Sequence, residues 1–85
     1  MPKSPRSELL DLANIAQLID SGGQITIGRL DSIACAAIAN DESNCLAMLQ
    51  RRHGERLDQL LSRLDAAIAR AWDEDYFTDE INATD

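Results

Sequence analysis

The chain has 85 residues, a formal net charge of −7 and 45% hydrophobic residues, of which only Trp72, Tyr76 and Phe77 are aromatic. A chain this short holds one domain at most and buries only ~60–65% of its unfolded surface, so its core is thin. No run approaches the ~20 apolar residues of a membrane-spanning helix, and MPKSPRSE lacks the apolar centre of a secretion signal, which points to a cytoplasmic protein with Cys35 and Cys45 as free thiols.

The charge is unevenly placed. Residues 73–85 carry six acids and no base, whereas residues 1–72 carry nine acids and eight bases. The organisation expected is a single small domain over 1–72 and an acidic C-terminal tail over 73–85. Such a tail either solubilises the chain or meets another protein.

In chain order, residues 1–6 form a short basic arm. A first helix is expected over about 5–20. Ser4 with Pro5, or Ser7, starts it; Leu9, Leu12, Ala13, Ala16 and Ile19 share a face; Gly22 and Gly23 stop it. Residues 24–28, QITIG, alternate like a short strand, although Thr26 also suits the cap of a helix from Ile27. Asp31 as N-cap, Leu30 as staple, and Ile33, Ala34, Ala37 and Ile38 on one face predict a second helix over about 31–40.

Residues 45–52 admit two readings. Leu, Ala, Met, Gln and Arg are strong helix formers, which gives one long helix over 43–72 in an all-α protein. The other is a buried strand, turned at His53 and Gly54 into a last helix over about 55–72, with Glu55 and Asp58 complementing its dipole. The preferred fold class is mainly α, a small α+β arrangement of three helices (about 5–20, 31–40 and 55–72) with one or two short strands (about 24–28 and 45–52).

The last helix carries the most regular pattern in the chain. Leu57, Leu60, Leu61, Leu64, Ile68 and Trp72 recur at steps of three and four, so they share one face, with Arg56, Asp58, Gln59, Ser62, Arg63, Asp65 and Arg70 on the other. A thin core with 12 alanines is expected to hide that ridge against a second copy of the chain, which makes these six apolar residues the dimer face. The stretch GERLDQLLSRLDAAIA (54–69), with YFTDEIN (76–82), resembles small uncharacterised bacterial proteins that share a G-E-x-L-x-x-L-L-x-R-L-D-x-A-I pattern and an FTDEIN-like ending. The resemblance covers under a third of the chain. It implies a strand-like segment before Gly54 and carries no function.

Little in the chain suggests chemistry. One histidine and two cysteines without paired spacing argue against zinc, and Asp73 and Asp75 lack the spacing and turn glycine of a calcium loop. No catalytic, cofactor-binding or metal-binding residue is assigned, no cofactor is expected, and the chain is not expected to be an enzyme. The function expected is that of a non-catalytic homodimeric interaction protein, partnered by itself and by another protein through the acidic tail. The alternative is a small dimeric DNA-binding regulator of the ribbon-helix-helix type. There Gln24, Thr26 and Gln50 would face bases, with Arg51, Arg52 and Arg56 on phosphates. The plainer account of those arginines is a solvated rim held by Glu55 and Asp58.

Overall fold

The computed structural model describes residues 12–82, in the order α1 (Ala13–Asp20), β1 (Gln24–Leu30), β2 (Ile33–Asn40), β3 (Cys45–Gln50), α2 (Leu57–Glu74) and β4 (Thr78–Asp79). The first three strands form an antiparallel meander. β4 returns after α2 to pair parallel with β3, so the sheet runs β1-β2-β3-β4. A parallel neighbour requires a crossover, and α2 supplies it. This four-stranded α+β fold corrects both the mainly α expectation with three helices and the all-α alternative.

The largest departure is residues 33–40, expected within a helix over 31–40 and found as the interior strand β2. Asp31 is not a helix cap. Its φ of 52° places it in the two-residue hairpin turn that the Leu30–Ile33 pair closes. The helix propensity of alanine, worth less than ~1 kcal/mol per residue, yields to pairing on both sides. Ala37 lies between Ile27 and Leu49, and Ala39 between Ile25 and Ala47. The small side chains of Ala37, Ala39 and Ala47 are fully covered and let the helices lie close to the sheet.

Gly54, with a φ of 78°, ends the long-helix alternative, because that left-handed conformation turns the chain between β3 and α2. The first helix, expected over 5–20, begins at Ala13 with Leu12 as its N-cap; residues 5–11, and the starts at Ser4 or Ser7, lie outside the described residues. The segment expected as tail is partly built in. α2 runs to Glu74 and β4 joins the sheet. Both helices cover one face of the sheet, where Leu18, Leu60, Leu64 and Ile68 pack with Ala37, Ala39, Ala47 and Leu49.

Asp65 belongs to this interior rather than to the polar face of its helix. Its Oδ1 accepts the Ile15 N–H at 2.8 Å, and its Oδ2 accepts the Asn14 side-chain amide at 2.9 Å. The Ile15 amide is one of the first donors of α1, which have no partner within their own helix, and Leu12 has no side chain to offer them. Asp65 therefore caps α1 from α2, at the end where the dipole favours an anion. Asp65→Ala is expected to lower the unfolding free energy by ~1–2 kcal/mol, and Asp65→Asn by less, in urea titrations followed by circular dichroism.

Candidate functional site

The meander has two ends. At one, Leu30 meets Ile33 and Ala36 meets Gln50; at the other, Gln24, Asn40 and Cys45 lie abreast. α2 starts near the first end and finishes near the second, from which β4 runs back and sets Glu80 beside Gln50. α1 also finishes at the second end, only three residues before β1.

The first end is basic. Arg51, Arg52 and His53 lie exposed in the turn between β3 and α2. With Ile33, Ala34, Cys35 and Gln50 they line a cleft of 310 Å³. A neighbouring cleft of 360 Å³ shares the 50–53 segment and is bounded by Glu80. The register around Gly28, Leu30 and Ile33 brings Arg29 against the strand segment that forms the apolar side of the first cleft. The Arg51 main-chain N–H donates to the Cys35 carbonyl at 3.0 Å, and its Nε to the Glu55 carbonyl at 2.8 Å. Arg52 reaches Glu80 at 3.5 Å from a largely exposed side chain. Arg56 is not part of this group. It pairs with Asp58 at 3.0 Å and holds that carboxyl below its ordinary range. Of the three arginines expected on phosphates, the fold thus gathers Arg51 and Arg52 and turns Arg56 aside.

Beside the cleft, Arg63 holds the elements together. Its Nε and Nη2 donate to the two oxygens of Glu55 at 2.7 and 3.0 Å, its Nη1 to Glu80 at 2.8 Å, and Nη2 also to the Gln50 carbonyl at 3.1 Å. Glu55 also accepts the Arg52 N–H at 2.9 Å, and Glu80 the Gln50 N–H at 3.0 Å. The Arg63 guanidinium is the main reason that the Glu55 carboxyl is lowered from 4.5 to about 2. None of Glu55, Arg63 or Glu80 stands out as a unit in the sequence.

The second end is acidic and aromatic. Asp20 closes α1; Asp41 and Glu42 lie in the β2–β3 turn; Asp73, Glu74 and Asp75 close α2. Neither helix has a base in its last turn. Trp72, Tyr76 and Phe77 are 38%, 48% and 47% exposed, so all three aromatics of the chain stand outside the core. The Arg70 guanidinium stacks on the Tyr76 ring, 4.2 Å from its centre.

The expected dimer face is divided by the fold. Leu60, Leu64 and Ile68 are completely covered within one chain, Leu61 is half-buried, and only Leu57 and Trp72, at the two ends of the ridge, are exposed. The ridge therefore no longer calls for a second copy. The ribbon-helix-helix alternative needs a strand free to pair across two chains. β3 is paired on both sides, and β1 keeps a single free edge.

The thiols are placed differently. Burial pushes Cys45 above its ordinary range, with Asp79 adding to the effect, whereas Cys35 lines the cleft with His53. Among the described residues, no three of His, Cys, Asp and Glu are grouped to hold a metal ion, and no helix is long and apolar enough to cross a membrane. No protein-family model, curated protein or solved structure matches this chain.

Proposed function

We propose that this is a non-catalytic interaction protein whose acidic end holds a basic, partly apolar segment of another polypeptide. The observation that carries it is the setting of three half-exposed aromatics among carboxylates that the fold does not need. Asp20, Asp73 and Glu74 stand at the negative ends of helix dipoles, where each acid costs ~0.3–1 kcal/mol. Among the described residues, only Glu74 of these pairs with a base, Arg70 at 3.5 Å on the surface. Aromatic side chains are the common anchors of protein interfaces, and an acidic rim selects lysine and arginine on the partner. The same rim repels a second copy of itself, so the partner is a different polypeptide.

Trp72 is the only tryptophan and reports on this end directly. Titration with an amphipathic Lys/Leu peptide should shift its emission to the blue and saturate, with affinity falling about tenfold from low to high salt. The triple variant Asp73→Asn, Glu74→Gln, Asp75→Asn should lose the shift while its far-ultraviolet dichroism is unchanged; asparagine is at home in the left-handed conformation of Asp75. A wild type that shows no saturable shift, or a triple variant that binds as well, ends the proposal. Sedimentation of the wild type should show a monomer; a tight dimer would return the second copy as the partner.

A further inference from the structure

We infer that the cleft at the opposite end binds a small phosphomonoester, with its phosphate on Arg51, Arg52 and Arg29 and its organic body against Ile33 and Ala34. The first support is charge. In a chain of net charge −7, Arg51, Arg52 and His53 line the cleft from one turn, and the β1–β2 register sets Arg29 across from the strand segment that forms its apolar wall. Arg56, Arg63 and Arg70 are each spent on a carboxylate within 4 Å and Arg52 reaches Glu80 at 3.5 Å from a largely exposed side chain, but among the described residues neither Arg29 nor Arg51 has one. A guanidinium left without a carboxylate presents a planar pair of N–H donors, the geometry that phosphate oxygens accept.

The second support is preorganisation. Arg51 is tied by its main-chain N–H to Cys35 and by its Nε to the Glu55 carbonyl, which leaves the Nη groups for a ligand. Its turn is braced in its own right, because the Glu55 carboxylate takes the Arg52 N–H and is clasped by Arg63. Donors already fixed lose less freedom when a ligand arrives.

The third support is size. At 310 Å³ the cleft is at the lower end of small-molecule sites, roughly 300–1,000 Å³, and has an apolar wall that a bare phosphate would not use. The acids that touch the turn, Glu55 and Glu80, are both taken up by Arg63, Glu55 also by the Arg52 N–H and Glu80 by the Gln50 N–H. A nucleic acid suits this surface less. It needs an extended row of bases, and the acidic remainder of the protein repels a polyanion.

The test is a nuclear magnetic resonance titration of the isotope-labelled full chain with adenosine monophosphate, inorganic phosphate and adenosine. Adenosine monophosphate should move the amide signals of Ala34, Cys35, Arg52, His53 and Gly54 and saturate with a Kd below about 1 mM. Inorganic phosphate should move the same signals about tenfold more weakly, and adenosine should not saturate. Arg51→Ala with Arg52→Ala should abolish binding, and Arg29→Ala, remote from the turn's own hydrogen bonds, should weaken it without disturbing the turn. Arg56→Ala should change nothing. Failure of both phosphate probes to saturate would overturn the inference, as would unchanged binding by the Arg29 and Arg51/Arg52 variants. Equal affinity for inorganic phosphate would overturn the organic-body assignment, and tighter binding of a DNA duplex at the same salt would replace the ligand class.

Discussion

Leu64→Asp is expected to leave no folded chain. Leu64 is completely covered at the centre of the core, flanked on α2 by Leu60 and Ile68, which are equally covered. Truncating such a leucine to alanine already costs ~2–5 kcal/mol. Aspartate adds a carboxylate to an interior that offers it no cation, a cost of several kcal/mol more. At ~0.05–0.15 kcal/mol per residue, an 85-residue domain has only ~4–13 kcal/mol in total, and the substitution exceeds most of that range. Far-ultraviolet dichroism of the variant should show a disordered chain at any protein concentration. Leu57→Asp, at a position 47% exposed on the same stripe, should change stability by less than ~0.5 kcal/mol. The pair of variants separates a core from an interface. A soluble, helical monomer from Leu64→Asp would mean that the ridge is covered by a second copy after all.

Why the sequence suggested a dimer is visible in β2. Its residues IACAAIAN are apolar on both faces, so the alternation that marks a strand is erased, and the helical spacing of Ile33, Ala37 and Ile38 survives by coincidence. A helix over 31–40 leaves no sheet to cover Leu60, Leu64 and Ile68, and the ridge then exceeds what one chain can hide. α2 itself was legible because a stripe four turns long has one reading. β3 is legible only in part: helix propensity favours the long helix over 43–72, and it is the resemblance before Gly54 that turns the reading to a strand. Asp65 was not, because an acid on an amphipathic helix reads as solvent-facing, and the amide it caps is 50 residues away. The candidate sites divide along the same line. Arg51 and Arg52 are adjacent in the chain and read as a cluster, whereas Arg29 is set across from the β2 wall of their cleft only by the β1–β2 hairpin. The acids after Trp72 read as a solvated tail because β4 is two residues long, and what anchors it, Glu80 on Arg63, is a pairing across 17 positions.

That anchoring gives the second large effect. Arg63→Ala is expected to cost ~2–4 kcal/mol, between the values for exposed ion pairs and those for buried pairs broken on one side, because the Arg63 side chain is 23% exposed and its Glu55 partner 8%. The loss has two parts. Four hydrogen bonds that tie β3, the turn, α2 and the segment after β4 disappear together, and the Glu55 carboxylate is left nearly buried with one N–H and Glu80 nearby. Arg63→Lys keeps the charge but not the planar fork, and is expected to recover about half. The pH dependence separates the two parts. The Glu55 carboxyl is lowered from 4.5 to about 2 in the folded protein, so its contribution is fully present above pH 4.5 and is lost as the pH falls toward 2. In Arg63→Ala that contribution is absent, so the urea stabilities of wild type and variant should converge as the solution is acidified from pH 5 toward pH 2. Glu55→Gln in the Arg63→Ala background should restore about 1 kcal/mol by removing the stranded charge. Stability curves that stay parallel over the whole range would mean that Arg63 acts through the packing of its stem, and that β4 is held by its backbone pairing with β3 alone.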